Sequence, residues 1–78
     1  MLKYRNLSGQ SGIVGYELHF THIVVHFNDG RWYRYDGQKP GPQVVARMKQ
    51  LAAEGIGLNS FISRVVKKSY SAWGRRKA

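Results

Sequence analysis

Asn28-Asp29-Gly30-Arg31-Trp32-Tyr33-Arg34-Tyr35 sets three aromatic residues within four positions, directly after a turn. Asp-Gly supplies the positive φ that a tight hairpin needs, so Arg31 to Tyr35 reads as the return strand. Side chains alternate along a strand, which puts Tyr33 and Tyr35 on one face and Trp32 and Arg34 on the other. One face therefore carries two phenol rings, and the other an indole beside a guanidinium. Such a ribbon serves either as core or as a stacking platform for bases, and the choice between them is the functional question.

Upstream of the turn, Ile23, Val25 and Phe27 alternate with Val24 and His26, a strand rich in β-branched residues. Before it, residues 13–18 alternate with Val14, Tyr16 and Leu18 on one face and Ile13, Gly15 and Glu17 on the other, and a turn is expected around residues 19–22. Downstream, Asp36-Gly37 ends the third strand, and Lys39-Pro40-Gly41-Pro42 is a stiff connector with Pro42 suited to the first turn of a helix. Residues 43–53 then carry Val44, Val45, Met48, Leu51 and Ala52 on one stripe, with Arg47, Lys49, Gln50 and Glu54 facing water. Gly55 suits a C-cap and Gly57 gives a second break. Asn59 or Ser60 can cap a second helix, whose stripe is Phe61, Ile62, Val65, Val66 and Tyr70.

Three short-linked strands form an antiparallel meander, and two amphipathic helices need one surface to cover. The expected fold is α+β: a three-stranded antiparallel β-meander followed by two helices packed on one sheet face. A chain of 78 residues has room for one small core. The expected divisions are a Ser/Gly-rich lead-in at residues 1–12, one domain at 13–70 and a basic tail at 71–78.

The net charge is +9, from 13 Lys and Arg against 4 Asp and Glu. The acids are Glu17, Asp29, Asp36 and Glu54; beyond Glu54 there are none, while Arg64, Lys67, Lys68, Arg75, Arg76 and Lys77 follow. So basic a surface attracts polyanions, although excess charge of one sign also serves solubility. The absence of cysteine removes disulfides, thiolate catalysis and Cys-based zinc sites. The charged start, Met1-Leu2-Lys3-Tyr4-Arg5, does not read as a signal peptide, so none is expected, and no apolar run approaches the ~20 residues of a membrane span. A cytoplasmic protein without a membrane partner is expected.

The order of these features resembles the KTSC domain family, named for a C-terminal domain of some lysyl-tRNA synthetases and found also as small stand-alone bacterial proteins. Gly15-Tyr16 lies on the first strand, and Phe27-Asn28-Asp29-Gly30 leads into Tyr33-Arg34-Tyr35, the family's aromatic-x-aromatic centre. A proline-led helix and a Gly-containing break follow, then Phe61-Ile62-Ser63-Arg64-Val65-Val66-Lys67-Lys68 with Tyr70. The likeness spans residues 8–70; it departs at Ser63, where the family often has Asn, and at Ser8 to Ile13, where it has a fuller Ser/Asn signature. The resemblance implies no catalytic activity and, by its synthetase context, RNA binding.

Each chemical reading has a plain competitor. Tyr33 and Tyr35 can stack bases, at roughly 1–3 kcal/mol per ring, or fill the space under the helices with their hydroxyls at an edge. The second is preferred, which makes Tyr16, Tyr33, Tyr35, Phe61 and Tyr70 structural motif residues and leaves Trp32 and Arg34 as the more exposed stacking pair. Arg64, Lys67 and Lys68 share a helix face and, with the tail, can meet phosphates or simply be solvated. His22 and His26 share a strand face with His19 expected opposite, a poor geometry for a metal. Serines 8, 11, 60, 63, 69 and 71 lack an evident base and acid, and Gly9, Gly12 and Gly15 lack the strand-turn-helix setting of a phosphate loop.

The expectation is a non-enzymatic nucleic-acid-binding module without cofactor or metal, RNA ahead of DNA, acting through Arg31, Trp32, Arg34, Arg64, Lys67, Lys68, Arg75, Arg76 and Lys77. The alternatives are a protein-interaction module or homodimer using the open sheet face, and a binder of small anionic nucleotides.

Overall fold

The computed structural model describes residues 1–76. Its sheet has five antiparallel strands in the order β1-β2-β3-β4-β5: β1 (Leu2–Lys3), β2 (Ile13–Leu18), β3 (His22–Phe27), β4 (Arg31–Asp36) and β5 (Ala72–Arg75). Between β4 and β5 come α1 (Pro42–Glu54), the short α2 (Leu58–Phe61) and a π-helical turn over Ile62–Val66. The α+β class and the central meander are as expected; three strands is corrected to five. The extra two lie at the sheet edges, in segments too short and polar to announce themselves. β1 pairs Leu2 with Tyr16, and β5 pairs Tyr33 with Trp73 and Arg31 with Arg75.

The β3–β4 loop is the turn that the sequence marks. Gly30, at φ 90°, closes it through its N–H on the Phe27 carbonyl, and the Asp29 carboxylate accepts from the Arg31 N–H. The helices cover the Tyr35 face. Ile23, Val25 and Tyr35 there are fully buried against Val45, Met48, Leu58, Ile62 and Val66. Burying each of the larger apolar side chains stabilises by about 1.5–3 kcal/mol, and this layer is what holds so small a domain. Val45, Met48, Leu51 and Ala52 form the buried stripe of α1, and Gly55 ends the helix in the left-handed region.

Three details depart from strict periodicity. A bulge between Ile13 and Gly15 shifts the β2 register, so Ile13 joins Tyr16 in the core and Val14 turns outward. α2 starts after Gly57 rather than at an Asn59 or Ser60 cap. The π-helical turn widens the repeat, so the buried stripe is Leu58, Ile62 and Val66, while Val65 is exposed. His19 also moves: it pairs across the tight Phe20-Thr21 loop with His22, and their rings stack at 4.3 Å. All three histidines therefore lie on the same sheet face.

Candidate nucleic-acid interface

Alternation on β4 sends Tyr33 and Tyr35 to the helix-covered face, but the helices do not cover that face completely. Tyr35, beneath α1 and the π-helical turn, is 1% exposed, and burial pushes its phenol pKa up, so it stays neutral. Tyr33, nearer the turn, is half-buried and packs against the core from outside. Its cross-strand partner Trp73 is 58% exposed. The two rings lie nearly parallel, 25° apart with centroids at 6.4 Å. Tyr70 leans on Tyr33 at 4.8 Å, and Phe27 meets it edge-on at 5.6 Å.

These rings line an open cleft of about 740 Å³ between the β4–β5 end of the sheet and the π-helical turn. Arg31 and Arg75, directly opposed across the two strands, stand on the sheet side. Lys67 and Lys68, which follow the π-helical turn, stand on the other. Asp29 is the one carboxylate in the lining, and it pairs with Arg31 at 3.3 Å. Asn59 and Ser63 add neutral polar groups to the helical wall.

Lys67 has an unusual backbone. Its φ of 54° and ψ of −124° place it at the second position of a turn closed by the Ser69 N–H on the Val66 carbonyl. That conformation belongs to glycine, because a Cβ crowds the neighbouring carbonyl. Strained residues of this kind, and π-helical turns, concentrate at functional sites.

The opposite sheet face is built differently. The indole of Trp32 lies on Gly74, where an added Cβ would fall 2.5 Å from its six-membered ring. One face of that indole is therefore already occupied. Arg34 is paired with Asp36 at 3.5 Å. Glu17 receives His26 at 2.7 Å and His19 at 3.2 Å, and the His26 hydrogen bond foremost holds its carboxyl below the usual range. The charged side chains named on this face are engaged by neighbours on it. No group of three or more His, Asp or Glu able to hold a metal occurs among the described residues.

Compared with family models, curated proteins and solved structures, the chain gives no match. The likeness to the KTSC domain family is carried by the motifs of the sequence alone.

Of the residues singled out from sequence, the fold brings Arg31, Lys67, Lys68 and Arg75 to one cleft. Trp32 and Arg34 face away from it, on the other side of the sheet. Arg64 is exposed outside the lining, and Arg76 is exposed with its backbone N–H on the Gly30 carbonyl. Lys77 lies outside the described residues. Tyr16 is buried with Tyr35, while Tyr33, Phe61 and Tyr70 are partly buried around the core. From sequence, Trp73 interleaves the C-terminal cations but could equally cap the core; the fold brings it to the cleft. The signal was Trp73-Gly74-Arg75, an aromatic and a cation two apart, which is strand alternation compressed into a segment read as tail.

Proposed function

We propose that this protein is a non-enzymatic, cytoplasmic nucleic-acid-binding module of the KTSC type, with RNA ahead of DNA as its ligand. One observation carries the reading: five aromatic rings and four cations line the same concavity, against a single carboxylate. Cations supply sequence-independent attraction to phosphates, and rings supply surfaces on which bases stack. The KTSC resemblance favours RNA. The Trp32/Arg34 face supports the reading less, because its indole rests on Gly74 and its guanidinium has a carboxylate partner.

Salt titration tests it. Three or four phosphates neutralised on a single strand give a slope of log affinity against log salt of roughly −2 to −3. Fluorescence anisotropy of labelled RNA between about 50 and 200 mM salt measures this. Charge reversal at Lys68 or Arg75 should weaken binding and flatten the slope by about one charge each. An affinity indifferent to salt overturns the reading.

A further inference from the structure

We infer that the cleft seats an unpaired base, so that the ligand is a single-stranded stretch of nucleic acid rather than a duplex. This rests on the nucleic-acid reading above and narrows it.

Phe27, Tyr33, Tyr70 and Trp73 present their rings along the lining of the cleft. Tyr33 and Trp73 form a two-ring floor on neighbouring strands, and the turn bearing Lys67 and Lys68 forms the facing wall. Bases in a duplex present edges in the grooves and keep their faces stacked on each other. A ring at the floor of a concavity meets a base face only when that base has left its stack. A duplex spends a few kcal/mol to release a base, and a single strand has no pairing to break.

The cations frame the floor on both sides. Arg31 and Arg75 are opposed across adjacent strands, an arrangement of like charges that destabilises a sheet. Asp29 compensates Arg31. Lys67, Lys68 and Arg75 have no carboxylate partner among the described residues. Positive charge on both flanks suits a strand whose phosphates pass on either side of the seated base. A mononucleotide, with phosphate at one end, engages only one flank.

The backbone of Lys67 is an independent sign. A turn that glycine would relax instead holds a lysine, and this lysine lines the cleft. Asn59 and Ser63, on the same wall, offer the donors and acceptors that read an exposed base edge.

The test compares one oligonucleotide sequence as single-stranded RNA, single-stranded DNA and the matching duplexes, using the full chain. Single strands should bind at least about 10-fold tighter than duplexes. Trp32→Phe leaves Trp73 as the reporting indole, and single strands should quench its emission while duplexes leave it unchanged. Trp73→Ala should lose about 5- to 100-fold in single-strand affinity with an unchanged salt slope, and Trp73→Phe should restore most of it. Circular dichroism of both variants checks that the sheet persists. Equal affinity for strand and duplex, with salt dependence intact and Trp73 emission unmoved, overturns this inference and leaves the nucleic-acid reading standing. Binding of mononucleotides as tight as of the strand also overturns it. Binding of neither strand nor duplex overturns both.

Discussion

Lys67 sets backbone strain against the binding role proposed for it. A backbone at φ 54° and ψ −124° costs a residue bearing a Cβ about 1–3 kcal/mol, and glycine escapes that cost at the expense of a floppier unfolded chain. Lys67→Gly should therefore stabilise the fold by up to about 1 kcal/mol, or raise its melting temperature by a few degrees, while weakening RNA binding. Thermal melts beside anisotropy measure both; a variant that melts lower shows that the turn is not strained. Gly74 is the opposite case, a glycine kept for space. With a Cβ there falling 2.5 Å from the Trp32 ring, Gly74→Ala should cost about 1–3 kcal/mol, as overpacking does. Adding Trp32→Leu should return part of that loss, because the two residues share one contact. Strictly additive melting data would show that the indole does not rest there.

At the scale of elements, the stretch from β2 through α1 was legible and the chain's ends were not. β3, its turn and β4 follow from alternation and Asp29-Gly30, and α1 follows from its stripe and the Pro42 and Gly55 signals. These elements are long enough for periodicity to speak. β1 has two residues and β5 four, below the length at which alternation separates from chance. What fixes them is tertiary. The Tyr4 ring is buried, its N–H bonds the Val14 carbonyl, and its hydroxyl accepts from the Leu58 N–H at 3.4 Å. Arg5 packs on Gly55 and donates to the Ala53 carbonyl, and the Leu7 N–H reaches the Gly55 carbonyl at 2.8 Å. The Ser/Gly-rich composition of residues 1–12 conceals this. Tyr4→Ala should accordingly cost about 3–5 kcal/mol, much of the stability of a chain this size, whereas Tyr4→Phe should cost about 1 kcal/mol or less. Urea unfolding of both variants decides it: a small loss for Tyr4→Ala would return the segment to a loose lead-in. The cleft was partly legible for the same reason. Its cations stand out in composition, but Trp73 joins Tyr33 only through a strand pairing that the sequence does not advertise.

Over the whole molecule, the sheet separates two electrostatic regimes, and they should respond to acid differently. The cleft is lined by Arg31, Lys67, Lys68 and Arg75, and no histidine lines it among the described residues. The opposite face holds titrating groups in close contact. Burial foremost, then the charges of Arg34, His19 and Lys49, hold the pKa of His22 below its ordinary 6.5, with Asp36 opposing. Below pH 6.5 the unfolded chain takes up a proton that folded His22 resists, so stability falls as pH drops through that window. Glu17 acts further down. Its hydrogen bond with His26 leads in holding its pKa below the ordinary 4.5, so the stability it contributes is present above 4.5 and is lost as pH falls through the lowered value. The two effects share a sign and act in succession. The melting temperature should decline in two steps on acidification; His22→Gln should flatten the upper step and Glu17→Gln the lower. Above the first step, neither variant should change the salt slope of RNA binding, because neither residue touches the cleft. A melting temperature that rises as pH falls below 6.5 would contradict this assignment of His22, and a salt slope altered by Glu17→Gln would show that the two faces of the sheet are coupled.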